Sequence, residues 1–193
     1  MKQIILATTS KGRLEWFSCL GLEFKAEGSD VNEYFEGRSK DPAKLTLQLA
    51  KMKAEDVAKK HEDGIVIGFD SVGYFEGKIL EKPKTEEEAF EMLKALSGKT
   101  HEWITGMHMK DIETGGSSSD LTKTRITFRK LSDDEIRSYL KKEPRYKQWA
   151  VAYNPINNYG ASFIERFEGN YSSQFGVALN VVVKRLRELG VKI

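Results

Sequence analysis

Cysteine is nearly absent from this chain. Cys19 is the only one, so no intramolecular disulfide can form and no cluster of thiolates can hold zinc. A reducing, cytoplasmic setting is the expectation. Histidine is scarce as well: His61, His101 and His108 follow no His-Glu-x-x-His type of spacing, which argues against a histidine metal centre. An excess of either charge is also missing. Lys and Arg total 31 against 29 Asp and Glu, so a nucleic-acid backbone is not the expected partner and any anion site has to be local. No apolar run approaches membrane-spanning length, and the opening Ile4-Ile5-Leu6 is far too short for a signal-peptide core. Neither a membrane partner nor a targeting segment is expected. No period of about 20 to 50 residues repeats as it would in a solenoid.

What remains is the composition of a soluble globular protein. Of 193 residues, 39% are hydrophobic and 31% charged, enough for one substantial core or for two lobes sharing a sheet. One domain over 1–193 is the default. Residues 4–7 read as a buried strand, and Thr8-Thr9-Ser10-Lys11-Gly12-Arg13 turns it into a helix carrying Leu14, Phe17 and Leu20. A strand over 22–26 and a polar loop holding Glu33 follow. Asp41-Pro42 then starts a helix with Leu45, Leu49, Met52 and Val57 on its apolar stripe. Residues 65–71 read as an apolar strand whose tip is Asp70. A hairpin turns at Glu76-Gly77. Thr85 with Glu88 and Ser132 with Glu135 make two capping boxes before amphipathic helices. Strands are expected over 101–109, 122–128 and 161–167, with a flexible loop at 115–119 and a last helix over 177–189. Interspersed strands and helices with hairpins in the middle imply an α/β or α+β sheet with helices on its faces.

Several of these positions carry chemistry. Asp70 and Ser71 end an apolar strand beside Gly68, and Lys82 returns after the hairpin. A carboxylate and a lysine on one sheet edge suit phosphate and metal chemistry, and they equally suit a solvated strand end. Lys53 falls on the inward stripe of its helix, where it either snorkels along the edge or reaches an anion. Ser10, Lys11, Gly12 and Arg13 crowd a helix N-terminus, whose amides attract anions, while Ser10 alone also fits a plain N-cap.

Taken in order, these segments resemble the Maf family of nucleotide pyrophosphatases. Gly68-Phe69-Asp70-Ser71, Lys82-Pro83, Glu88-Ala89, Met92-Leu93, Leu96-Ser97-Gly98-Lys99-Thr100-His101 and Thr105-Gly106 look like the family's central pattern, an agreement over about forty residues that no single short motif matches in specificity. Ile5-Leu6-Ala7 with Ser10 and Arg13, Leu49-Ala50 with Lys53-Ala54, and Gly160-Ala161 with Phe163-Ile164 and Gly176 extend it towards both ends. The family's Pro-Arg is Lys11-Gly12 here, its Thr is Ser71, and its Lys-Ala-Gly-Ala-Tyr-Gly-Ile-Gln-Gly segment is replaced by residues 147–158.

The resemblance implies a mixed twisted α/β sheet with helices on both faces and two lobes around a cleft. It implies hydrolysis of a pyrimidine or modified nucleoside triphosphate to the monophosphate and pyrophosphate, a house-cleaning role in the nucleotide pool. Asp70 would accept the proton of the attacking water. Glu33 and Asp70 would hold a divalent cation, Mg²⁺ or Mn²⁺. Arg13, Lys53 and Lys82 would clamp phosphate oxygens, Ser10 would complete the cradle, and Ser71 would sit near the sugar or base. The family commonly forms homodimers. A non-catalytic nucleotide-binding regulator of cell division is the alternative from a different class.

Overall fold

The computed structural model describes residues 2–155 and 158–193. Among these residues seven strands form one mixed sheet. In chain order they are β1 (Ile4–Ala7), β2 (Lys25–Glu27), β3 (Ile65–Phe75), β4 (Lys78–Leu80), β5 (Thr100–Asp111), β6 (Ser117–Phe128) and β7 (Ile164–Glu168). Their spatial order is β2-β1-β3-β5-β6-β7, with β4 paired to β3. Strand β1 runs parallel to β2 and β3, while β3/β4 and β6/β7 are antiparallel. The described residues also form five α-helices: α1 (Lys11–Ser18), α2 (Pro42–Ala58), α3 (Glu86–Leu96), α4 (Asp133–Lys142) and α5 (Leu179–Glu188). No described helix is long and apolar enough to cross a membrane.

The chain divides into two compact units. The first comprises Met1–Ser71, Thr105–Thr122 and Phe175–Ile193, the second Val72–Ile104 and Lys123–Gln174. In the first unit, the period-2 alternation of a strand sends neighbouring side chains to opposite faces. Ile4 and Leu6 of β1 and Ile65, Ile67 and Phe69 of β3 meet Phe17 of α1 and Val182 and Leu186 of α5. Ile5, Ala7 and Val66 point the other way and pack on Ala54 and Val57 of α2. Helices therefore cover both faces of this part of the sheet.

Helix α2 begins where the sequence places it: the Asp41 carboxylate accepts from the amides of Ala43 and Lys44, and Pro42 fills the first helical turn. Glycines set how closely it seats. A Cβ on Gly68 of β3 would lie 2.2 Å from the Ala50 carbonyl oxygen, and one on Gly106 of β5 would lie 2.5 Å from that of Thr46. Any side chain at either position would push the helix off the sheet.

In the second unit, Ala89, Phe90, Leu93 and Leu96 of α3 and Ile136, Tyr139 and Leu140 of α4 pack over Ile126 and Phe128 of β6. Both helices carry their expected caps, Thr85 accepting from the Glu88 amide and Ser132 from that of Glu135.

The structure corrects the sequence reading in several places. Asp70 is not at a strand tip, because β3 continues through it to Phe75. The residues beyond it, Val72, Tyr74 and Phe75, have the β-branched and aromatic character that sustains a strand. The loop expected at 115–119 is shorter, since β6 already starts at Ser117 and the Asp111 amide donates to the Gly116 carbonyl. Residues 159–163 form a 3-10 turn before β7. Ser10 precedes α1 but its side chain caps nothing; its amide instead donates to Thr8 Oγ1 at 3.2 Å.

Candidate active site

The first unit holds six of the predicted residues, Ser10, Arg13, Glu33, Lys53, Asp70 and Ser71, and brings two carboxylates onto one lysine. Lys53 sits in the middle of α2, buried with Leu49, Ala50, Ala54 and Val57. It is three residues beyond Ala50, where the helix closes on Gly68. Its Nζ lies 2.7 Å from Asp70 Oδ1 and 2.8 Å from Glu33 Oε1. Asp70 stands on β3, 6% exposed. Glu33 comes from the loop between β2 and α2 and is the more open of the two carboxylates. One ammonium thus holds two like charges together that would otherwise repel.

Burial raises the Asp70 pKa above the ordinary carboxylate value, and the nearby charges of Lys53 and Arg13 oppose that shift without cancelling it. A carboxylate made more basic by its surroundings is suited to take a proton. Arg13, in the first turn of α1, donates from Nη2 to Ser71 Oγ at 3.3 Å. Burial lowers its pKa, opposed by the charges of Asp70 and Glu33, yet a guanidinium stays a cation at neutral pH. Among the described residues Arg13 forms no ion pair within 4.0 Å, so most of its donors remain available to an incoming anion. Ser10 is exposed just ahead of it.

The chemistry of the donor set suits a hard divalent cation. Two carboxylate oxygens converge on a single cationic atom, here Nζ of Lys53. No described group of three or more His, Cys, Asp or Glu forms a ready-made metal cluster. Two carboxylates are what Mg²⁺ commonly takes from a protein when phosphate oxygens and water complete its shell.

Lys82 belongs to the second unit, exposed in the segment between β4 and α3. In the same unit, the replaced segment has kept an unusual backbone. Val151 adopts φ +66° and Ala152 φ +58°, the left-handed region that a β-branched residue avoids. A valine therefore occupies a conformation that glycine ordinarily takes. Its amide donates to the Glu81 carbonyl at 3.3 Å, next to Lys82. Of the segment expected to bear on the base, Ile156 and Asn157 lie outside the described residues.

Two contacts of the site join residues whose pairing the sequence did not show. Ser71 Oγ is 2.9 Å from Thr105 Oγ1 of β5, a pairing across strands that no residue spacing reveals. Gly176, at φ +78°, closes over Arg13: a Cβ there would lie 2.8 Å from Nε. Ser71 thus lies on the Arg13 side chain rather than standing alone at a strand end.

A model of the family described as Maf-like protein matches residues 3–189 of this chain. Over 188 residues the chain is 39% identical to a dTTP/UTP pyrophosphatase of Geotalea uraniireducens, an alignment covering 97% of this chain and 95% of that protein. It is also 39% identical over 193 residues to a dTTP/UTP pyrophosphatase of Pyrococcus furiosus, covering 100% and 98%. Among solved structures, a nucleoside-triphosphatase described as a dITP/XTP pyrophosphatase from Mycobacterium abscessus aligns over 97% of each chain with a TM-score of 0.45 and 11% identity.

Proposed function

Since the chain belongs to the Maf-like protein family, we propose that it hydrolyses a pyrimidine nucleoside triphosphate to the monophosphate and pyrophosphate. One observation carries this reading: a buried, basic carboxylate, Asp70, shares a lysine with a second carboxylate, beside an arginine whose donors are largely uncommitted. The names of the full-length relatives, dTTP/UTP pyrophosphatase, support thymine and uracil as the bases.

In the proposed reaction a water oxygen attacks the α-phosphorus, the bond from that phosphorus to the bridging oxygen of the β-phosphate breaks, and pyrophosphate leaves with the electron pair. Asp70 takes the proton released by the attacking water. Arg13 neutralises oxygens of the triphosphate, and a fixed cation beside a developing charge costs no reorganisation when the bond breaks. Lys53 keeps Asp70 and Glu33 in place and adds positive charge at the same point, while Ser10 and the first amides of α1 offer donors to a further phosphate oxygen. Lys82 supplies another cation for the phosphates. A divalent cation held by Glu33 and Asp70 would withdraw charge from the triphosphate oxygens.

The test is pyrophosphate release from dTTP, UTP and a panel of purine, methylated and deaminated triphosphates with Mg²⁺ or Mn²⁺, with Asp70→Asn alongside. Release from dTTP and UTP that Asp70→Asn abolishes, with folding unchanged, is the expected outcome. Full release by Asp70→Asn would remove that residue from the mechanism. Tight nucleotide binding by the unmodified protein with no release from any triphosphate would replace the enzyme by a nucleotide-binding regulator.

A further inference from the structure

We propose that Thr105 is a positioning residue for Arg13, acting through the hydroxyl of Ser71; the proposal rests on the reading of Arg13 as a phosphate clamp. All the groups concerned lie in the first unit. Thr105 is 1% exposed on β5, where valine would pack as well and carry no hydroxyl to desolvate. The hydroxyl meets Ser71 Oγ at 2.9 Å. Ser71 Oγ in turn accepts from Arg13 Nη2 at 3.3 Å.

The direction of these bonds gives the relay its meaning. A guanidinium only donates, so Ser71 must present a lone pair to Arg13 and aim its own proton elsewhere. Thr105 Oγ1 lies in reach of that proton, and in the proposed relay it accepts the proton and so fixes the rotation of the serine hydroxyl. Without an acceptor there, the serine proton is free to turn towards Arg13 and repel it. The arginine is confined from a second side. Gly176 lies so close that a Cβ would sit 2.8 Å from Arg13 Nε and 3.1 Å from Ser71 Oγ. The preceding Phe175 stacks on Trp16 of α1 with ring centroids 4.0 Å apart and 10° between planes, which ties this segment to the helix that carries Arg13. A guanidinium backed by Gly176 and steadied through Ser71 meets its anion in one orientation, and its side-chain entropy is spent before the substrate arrives.

The experiment measures pyrophosphate release from dTTP and UTP, and calorimetric affinity for inorganic tripolyphosphate, in the unmodified protein, Thr105→Val, Thr105→Ser, Ser71→Ala and the double variant Ser71→Ala/Thr105→Val. Losing one hydrogen bond to a charged clamp predicts about a tenfold fall in kcat/KM and in tripolyphosphate affinity for Thr105→Val. Thr105→Ser, which keeps the hydroxyl, should stay within about twofold of the parent on the same scale. The double variant should be no worse than Ser71→Ala alone, because the proposed path from Thr105 to Arg13 runs through Ser71. Unchanged Thr105→Val, or losses that multiply in the double variant, would overturn the relay. Should Thr105→Val not fold, Thr105→Ala is read against Ser71→Ala in its place. If no triphosphate is hydrolysed, the enzymatic reading fails while tripolyphosphate affinity still decides the relay; if tripolyphosphate does not bind either, Arg13 is no phosphate clamp and the proposal falls with it.

Discussion

Replacing Gly68 by alanine should part Lys53 from Asp70 without altering either residue. The added methyl would stand 2.2 Å from the Ala50 carbonyl oxygen, 2.9 Å from the Ala54 amide nitrogen and 3.0 Å from the Ala54 methyl. The nearest two are backbone atoms of α2, so no side chain can turn aside to make room. Relief requires the helix to retreat by roughly 1 Å in a close-packed interior. Lys53 lies between the residues that would be struck, so its Nζ withdraws with them from the 2.7 Å contact with Asp70. Overpacking of this kind costs about 1–3 kcal/mol of stability, and a misplacement of roughly 1 Å at a reacting group lowers turnover about 100-fold. Urea melts read the first quantity and pyrophosphate release at saturating triphosphate reads the second. Gly106→Ala, which meets the same helix at Thr46, should act in the same direction. A folded Gly68→Ala protein with the parental midpoint and turnover would show that the seating of α2 on glycine does not place Lys53.

Lys82→Ala should lower kcat/KM by about 100-fold or more through lost stabilisation of phosphate charge, with little change in thermal midpoint because the side chain is exposed; an unchanged rate would return Lys82 to a solvated surface charge. His101 carries a pH prediction. It packs edge-on against Phe128 and Tyr153, neither ring nitrogen has a hydrogen-bond partner among the described residues, and burial lowers its pKa from 6.5 to about 4. The unfolded chain therefore binds the proton first as pH falls, so the stabilising neutral form is fully present above about pH 6.5 and its contribution is lost between there and about pH 4, by roughly 3 kcal/mol in all. Urea melts of parent and His101→Phe at pH 7.5 and 4.5 check this: the parent should lose more stability than the variant on acidification, and a gap independent of pH would refute it.

Elements governed by local chemistry were legible in the sequence. The Asp41-Pro42 start of α2 and the N-caps Thr85 and Ser132 depend on residues within a turn of each other and occur as read, although the Glu88 carboxylate expected to close the first box accepts from the Lys84 amide instead. The apolar runs at 4–7 and 65–69 marked buried strands, and Lys53, which its spacing puts on the inward stripe of α2, is buried there. What the sequence concealed was decided by partners remote along the chain. Thr105 and Ser71 are neighbours only because β3 and β5 are adjacent in the sheet. The continuation of β3 beyond Asp70 was hidden because a carboxylate in an apolar run looks like its end. Lys53 and Arg13, brought by two other elements, make a buried aspartate tolerable inside a strand.

Val151 and Gly73 fit each other as projection and recess: a Cβ on Gly73 would lie 2.3 Å from Val151 Cγ2. Glycine at 151 would relieve the backbone at φ +66° but leave the recess empty, and any larger residue at 73 collides while valine remains. The two positions are thus contingent on one another, and the order of substitution matters. A descendant of this chain can enlarge residue 73 only after residue 151 has become smaller, so one route between two folded sequences is open and its reverse is closed.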